Sequence, residues 1–196
     1  TTYADGSTVS YTYDANGQVL SSTDQLGNTT TYTYDANGQM LTMTDPMGGV
    51  TSYSYDPCGS VASISTPLNL TTTYTYNSLN LVESVTDSGG HITSYSYNSV
   101  GDVATITDPM GGTTQYAYDL NGNVTSITNA EGHSTSYTYD ALNRLSSVTD
   151  ARGGKTVYEY DNEGRQTGET DALSYTASKT YDGVGNLISE TDKNGN

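Results

Sequence analysis

The sequence predicts an all-β protein made of repeated antiparallel β-hairpins, with 21 residues and two strands in each repeat. The tyrosine at position 34 recurs every 21 residues without insertion or deletion. Each half of a repeat ends in a turn signal, and the segment before one of these turns alternates between aromatic and hydroxyl side chains. A fixed period of about 20 to 50 residues is typical of arrays in which one supersecondary unit stacks on the next.

The first strand of each repeat ends in the motif Tyr-x-Tyr-Asp. Within Thr29–Tyr34, the two tyrosines share one face with Thr30, and the other three threonines occupy the opposite face, because successive side chains of a strand alternate. We predict that the paired tyrosines pack in rows and hold successive hairpins in register, in place of a conventional apolar interior. The predicted structural tyrosine rows are Tyr11, Tyr13, Tyr32, Tyr34, Tyr53, Tyr55, Tyr74, Tyr76, Tyr95, Tyr97, Tyr116, Tyr118, Tyr137, Tyr139, Tyr158, Tyr160 and Tyr181.

The tetrad Asp-x-x-Gly that ends both strands is the signature of a type I turn. Aspartate at the first position accepts backbone hydrogen bonds, proline suits the second, and glycine or asparagine tolerates the left-handed backbone of the fourth. All four prolines (Pro46, Pro57, Pro67 and Pro109) occupy the second position, and Ser174 is the exception to glycine or asparagine at the fourth. Representative turn residues are Asp14, Gly17, Asp24, Gly27, Asp35, Gly38, Asp45 and Gly48.

The second strand places its apolar residues three positions apart, as in Met40 and Met43 or Val61 and Ile64. A regular strand would direct two such residues to opposite faces. Either a β-bulge after the glycine brings them onto one face, or the first of each pair lies on the second face. We favour the bulge.

The whole chain, residues 1–196, reads as a single array of about nine repeats and roughly 18 strands. The segment Thr1–Val9 is the least regular repeat, since Tyr3 stands where later repeats have aspartate. After Arg152 the pattern loosens, with Lys179 in a tyrosine position and Glu190 in an isoleucine position, so we expect this tail to be less buried or frayed. Because neither end carries an atypical terminal repeat, we expect the array to be part of a longer one or to meet its own copy end to end.

A flat ribbon of this length is unfavourable, because sheets twist and must cover an apolar face. Equal repeat lengths imply equal rotation at each step. We therefore expect a curled or spiralling sheet, forming a hollow tube or shell, with the tyrosine face lining one side and the threonine and serine face in water.

Composition excludes several functional classes. The chain has 22 acidic and 6 basic residues, a net charge of -16, 33% hydrophobic residues and neither Phe nor Trp. Such a surface repels nucleic acid and anionic lipid, and no apolar run is long enough to span a bilayer. The only cysteine, Cys58, excludes an intrachain disulfide and stands at a turn position, where we expect a tolerated substitution.

The segments 11–30 and 137–156, YTYDANGQVLSSTDQLGNTT and YTYDALNRLSSVTDARGGKT, resemble the YD repeats of the Rhs (rearrangement hotspot) family. The resemblance covers essentially the whole chain. In that family, strips of antiparallel hairpins spiral into hollow β-shells that enclose toxin domains, and related repeats occur in cell-surface adhesion proteins. The resemblance implies a secreted or surface scaffold without enzymatic activity. The chain has neither the self-cleaving core segment nor the variable toxin that usually ends an Rhs shell, and its constant repeat length fits an open tube or filament better than a sealed container.

No catalytic constellation is present in the sequence. His91 and His133 occupy one turn position that is glycine in other repeats, and no serine stands in Gly-x-Ser-x-Gly. We therefore predict no enzymatic activity and no cofactor.

Calcium is the alternative that the carboxylates leave open, since oxygen-rich turns suit this ion. Equivalent aspartates on alternate strands lie about 9 to 10 Å apart, which is too far to share one ion, and turn capping accounts for them. The two rows of aspartates are Asp14, Asp35, Asp56, Asp119, Asp140, Asp161 and Asp182 on one edge, and Asp24, Asp45, Asp87, Asp108, Asp150, Asp171 and Asp192 on the other.

The leading functional hypothesis is a secreted or cell-surface YD-repeat scaffold that forms a hollow β tube or filament. A fragment of an Rhs-type shell around a toxin is the first alternative. A carbohydrate- or surface-binding adhesin module, in which tyrosine rings stack on sugars, is the second. The expected partners are further repeats or its own copy, with a toxin or a surface glycan as possible ligands, and neither nucleic acid nor membrane insertion is expected.

Overall fold

A computed structural model describes residues 8–196, in which every regular element is a β-strand. This part of the chain has no helix, and so no helix that could cross a membrane. The expectation for Tyr3 lies outside the described residues.

The chain divides into two compact units, and the division falls between Ser94 and Tyr95, inside strand β9. The strands that begin in the first unit are β1 (Ser10–Tyr13), β2 (Val19–Thr23), β3 (Thr29–Tyr34), β4 (Met40–Thr44), β5 (Val50–Tyr55), β6 (Val61–Ser65), β7 (Thr71–Tyr76), β8 (Val82–Thr86) and β9 (Ile92–Tyr97). Those of the second unit are β10 (Val103–Thr107), β11 (Thr113–Tyr118), β12 (Val124–Thr128), β13 (Ser134–Tyr139), β14 (Leu145–Thr149), β15 (Lys155–Tyr160), β16 (Gln166–Thr170), β17 (Thr176–Tyr181) and β18 (Leu187–Thr191).

Each strand pairs with the next strand of its unit in antiparallel orientation. Inside a repeat, β3 and β4 pair through Tyr32 opposite Met43 and Thr33 opposite Thr42. Between repeats, β2 and β3 pair only over Ser21–Thr23 and Thr29–Thr31. The prediction of an all-β chain of antiparallel hairpins, with two strands in every 21 residues, is confirmed. Most strands have five or six residues, because the turn hydrogen bonds take up the flanking positions.

The second strand of each repeat contains the favoured bulge. The partner of Thr33 is Thr42, whereas the partner of Tyr34 is Met40, so Met40 and Leu41 together oppose one tyrosine. The same shift recurs in the other hairpins whose register is described, for example between Ser54 and Tyr55 or between Thr138 and Tyr139. The extra residue places the apolar pair of the second strand opposite the two tyrosines of the first.

The structure has no conventional core. No apolar side chain among residues 8–196 is fully buried, although the tyrosines from Tyr32 onward are all half-buried except Tyr175, which lies in a turn. The exposure of β3 alternates as predicted, with its tyrosine face covered and its threonine face exposed. The expectation that the hydroxyl face simply meets water is wrong for the second strands. Ser147, on this face of β14, is only 3% exposed, because it is small and its hydroxyl lies 2.7 Å from that of Thr138.

The C-terminal repeats are paired and not frayed. Strands β16, β17 and β18 continue the ladder through Thr191 opposite Ser178. Lys179 lies opposite Glu190, and their charged groups are 3.3 Å apart, so an ion pair stands where most other described hairpins have tyrosine against an apolar residue. The predicted loss of burial holds for β18, where only Thr191 is partly covered.

Candidate functional site

In a repeat array, each repeat is held by its contacts with the neighbouring repeats. In this chain, recurring side-chain hydrogen bonds from one repeat to the next lie at the edge where each first strand ends, which we call the tyrosine edge. Its turns begin at Asp14, Asp35, Asp56, Asn77, Asn98, Asp119, Asp140, Asp161 and Asp182.

In seven of the described motifs, the second tyrosine joins two repeats through its hydroxyl group. The hydroxyl of Tyr34 donates a hydrogen bond of 2.9 Å to the carbonyl oxygen of Val19, the first residue of the preceding second strand. This bond to the residue 15 positions earlier is repeated by Tyr55, Tyr76, Tyr118, Tyr139, Tyr160 and Tyr181, at 2.8 to 2.9 Å. We call it the tyrosine staple.

The ladder between repeats explains why this carbonyl is available. The described pairing of β2 with β3 ends at Ser21 and Thr31, so the carbonyl of Val19 lies beyond the last backbone pair. A polar backbone group that is shielded from water needs a partner. The tyrosine hydroxyl provides it, while the ring covers the apolar residues of the same face. In the first hairpin, Tyr11 and Tyr13 are 46% and 57% exposed, and their ring centroids are 6.4 Å apart.

Burial of the staple raises the pKa of several of these hydroxyls. The pKa of Tyr139 lies above its usual value mainly because of burial, and the negative charge of Asp119 and the neighbouring Tyr137 adds to the effect. Tyr55, Tyr76 and Tyr118 have raised pKa values with burial as the largest cause. The hydroxyls therefore remain protonated donors at neutral pH.

The turns share one hydrogen-bond pattern on both edges. In the turn at Asp14, the N–H of Gly17 donates to the carbonyl of Asp14, and the carboxylate accepts from the N–H groups of Asn16 and Gln18 at 2.9 and 2.8 Å. The fourth residue has a positive φ in all 18 described turns, including Asn69, Asn80, Asn143 and Ser174. Thr66 begins one turn without a carboxylate or amide, and its hydroxyl accepts one longer bond of 3.3 Å from the N–H of Leu70.

Hydrogen bonds favour the charged form of several turn carboxylates. Hydrogen bonds from the N–H groups of Gly154 and Arg152 lower the pKa of Asp150. The N–H groups of Asn196 and Asn194 do the same for Asp192. The carboxylates accordingly serve as acceptors of turn hydrogen bonds.

The residue after the fourth turn position makes a second link between repeats, which the sequence reading missed. The amides of Gln18 and Gln39 donate to the carbonyls of Gly38 and Gly59 in the following turns, at 2.8 and 2.9 Å. The recurrence of long polar side chains at this position was the signal that could have revealed the link. Arg144 and Arg165 occupy the same position and reach the carbonyls of Asp161 and Asp182.

Within residues 8–196, no group of three or more His, Cys, Asp or Glu side chains is placed to hold a metal ion. His91 and His133 are exposed turn residues that contact Asp87 and Glu131. Cys58 is a free, exposed thiol in the turn that begins at Asp56.

The geometry is therefore that of a stacked hairpin array, and comparison with known proteins agrees. The RHS Repeat family matches six overlapping segments, residues 13–46, 34–68, 97–133, 118–155, 139–176 and 160–196, which together cover more than half of the chain. The chain belongs to the RHS repeat family. Comparison with curated protein sequences found no match.

Several solved structures resemble the chain in fold. The crystal structure of TcdB2-TccC3-Cdc42 matches 88% of the chain with a TM-score of 0.72 and 21% sequence identity. The Photorhabdus luminescens Tc holotoxin pore with the mutation TccC3-D651A matches 87% with a TM-score of 0.70 and 21% identity. TcdB2-TccC3 without its hypervariable C-terminal region matches 94% with a TM-score of 0.59 and 17% identity. The chain spans only 11 to 12% of the length of these structures, and at these identities the likeness concerns the fold.

Proposed function

We propose that this chain is a wall segment of an RHS scaffold, a structural element without enzymatic activity that forms part of a longer array outside the cell. The observation that carries the proposal is the tyrosine staple, because the same bond recurs between successive repeats within each of the two units. Interactions that depend only on the adjacent repeat allow an array to be extended without a new kind of contact. The toxin complexes with which the chain shares its fold support the extracellular location.

Two assemblies are compatible with a wall segment. The constant 21-residue period supports an open tube or filament, since every repeat then adds the same rotation and rise. The similarity to TcdB2-TccC3 structures supports a closed shell around a toxin, which is the alternative. Of the two, the tube is the one that the repeat geometry of the chain itself supports.

Electron microscopy of the purified chain over a range of concentrations distinguishes these assemblies. The tube proposal predicts particles of constant width whose length grows with concentration, by end-to-end association. Monodisperse closed particles would contradict the tube and favour the shell. Matched measurements on the Tyr139→Phe variant report whether growth depends on an intact array, with Tyr137→Phe as the control because no hydrogen bond of its hydroxyl is observed.

A further inference from the structure

The tyrosine edge contains two niches in which a guanidinium group is held by three contacts. Nε of Arg144 donates to Oδ2 of Asp140 at 2.7 Å, and Nη1 donates to the carbonyl of Asp161 at 2.9 Å. Its Cζ lies 4.7 Å from the ring centroid of Tyr160. A niche of this kind therefore has a side-chain oxygen, a backbone carbonyl and an aromatic face, all directed at one planar cation.

The second niche repeats the first one, 21 residues later. Arg165 donates to the carboxylate of Asp161 at 2.6 Å and to the carbonyl of Asp182 at 3.1 Å. Its Cζ lies 4.9 Å from the centre of the Tyr181 ring. The same three contacts therefore form in both repeats in which the residue after the turn is arginine.

Two repeats before Arg144, the residue at this position is Asp102. The other parts of the niche are present, since Asn98, Tyr118 and the carbonyl of Asp119 correspond to Asp140, Tyr160 and the carbonyl of Asp161. A cavity of about 370 Å³ lies here, lined by Asp102, Tyr118 and Asp119 among others. An anion of the chain thus stands at the position that a cation occupies in the two later repeats.

The lining of this cavity includes two carboxylates, and that of Asp102 is available to a cation. Oδ2 of Asp102 accepts a hydrogen bond of 3.1 Å from the amide of Asn98, and Asp102 has no cationic partner within residues 8–196. The carboxylate of Asp119 is already engaged, by the N–H groups of Asn121 and Asn123 and by the amide of Asn123. Burial, together with the charges of Asp102 and Tyr116, raises the pKa of the Tyr118 hydroxyl, so this side chain is uncharged at neutral pH.

We propose that this cavity binds the guanidinium group of an arginine side chain from a basic partner segment, in the manner of Arg144 in its own niche. One N–H group of the ligand donates to Asp102 and another to the carbonyl of Asp119, while the planar cation stacks on Tyr118. Arginine fits better than lysine, because the fork of N–H groups reaches two acceptors at once and its flat face covers a ring. The net charge of -16 favours approach of such a segment.

The proposal is tested by NMR titration of the protein with ethylguanidinium chloride, at an ionic strength held constant with sodium chloride. We expect saturable shifts of the backbone amides of Val100, Asp102 and Asp119, and an affinity lower by about five-fold or more in Asp102→Asn. Glu83→Gln is the matched control, because it removes one exposed carboxylate of β8 that does not line the cavity. Equal affinity in native and Asp102→Asn protein, or an equal loss in the control, would overturn the proposal.

A second variant fills the cavity from within the chain. Asn98→Asp/Asp102→Arg recreates the pair formed by Asp140 and Arg144, so we expect it to raise the melting temperature and to abolish the ethylguanidinium shifts. Retention of the same saturable shifts would overturn the proposal. Propylammonium, with the same charge but no fork of N–H groups, should bind at least about three-fold more weakly; equal affinity would overturn the assignment to arginine.

Discussion

The hydroxyl of Tyr139 donates a hydrogen bond of 2.9 Å to the carbonyl oxygen of Val124, so that one side chain joins the first strand of a repeat to the second strand of the repeat before it. Tyr137, two residues earlier on the same face, lies opposite Val148 inside its own repeat. The two tyrosines of one motif therefore have different roles, one between repeats and one within a repeat.

Removal of the staple should destabilise the array. We expect Tyr139→Phe to lower the free energy of unfolding by about 0.5 to 1.5 kcal/mol, because the carbonyl of Val124 loses its partner while the ring remains. Urea titration monitored by circular dichroism measures the change. Tyr137→Phe is the control, with an expected change near zero, and equal losses in the two variants would contradict the role of the staple.

The turn at Thr66 can be improved. Thr66→Asp should raise the free energy of unfolding by about 0.5 to 1.5 kcal/mol, since a carboxylate accepts two backbone N–H groups where the hydroxyl accepts one at 3.3 Å. The control is Asn37→Asp, which adds the same charge at an exposed turn position. Thermal melts of both variants at neutral pH decide the question, and stabilisation by the control alone would refute the argument.

An unusual cross-strand pair offers a test of the hydroxyl face. Gly168 lies opposite Glu159, and a Cβ at Gly168 would lie 2.8 Å from Oε2 and 3.2 Å from Cβ of Glu159. Most other described hairpins pair two hydroxyl residues here, such as Thr180 and Ser189 at 2.7 Å. We expect a double-mutant cycle to show coupling between the two positions. The gain in free energy of unfolding in Glu159→Thr/Gly168→Ser should exceed the sum of the changes in the two single variants by about 0.5 to 1 kcal/mol. Additive single effects would show that the two positions are independent.

Acid should weaken the turns. The pKa values of Asp87, Asp150 and Asp192 are lowered in the folded chain by turn hydrogen bonds, of which backbone N–H groups give the largest. Their contribution to stability is therefore present above the unfolded pKa of about 3.9 and is lost as pH falls through the lower folded values. When melting temperatures are measured from pH 7 to pH 2, we expect them to decrease once the pH is lower than about 4. A melting temperature that stays constant from pH 4 to pH 2 would show that the carboxylates do not stabilise the turns.

The calcium hypothesis is independent of these effects. We expect that addition of EDTA leaves the melting temperature unchanged, because each turn carboxylate accepts hydrogen bonds from its own turn. A decrease that calcium reverses, and magnesium does not, would revive the metal-binding alternative.

The strands, the turns and their period could be predicted from local sequence patterns. The alternation of side chains between the two faces of Thr29–Tyr34 and the positive φ at the fourth residue of each turn follow from local stereochemistry. The turn residues Asp35 and Gly38 could therefore be assigned without coordinates. The bulge at Leu41 was favoured but not decided, because the three-residue spacing of Met40 and Met43 allows two arrangements.

The contacts of each side chain with a neighbouring repeat, in contrast, could be seen only in the folded structure. The bond from Tyr34 to Val19 and the link from Arg144 to Asp161 depend on the stagger between neighbouring hairpins, which backbone pairing sets and residue identity does not reveal. The same stagger places Asp102 beside the ring of Tyr118, so that a substitution which looks neutral in the sequence lines a cavity in the fold.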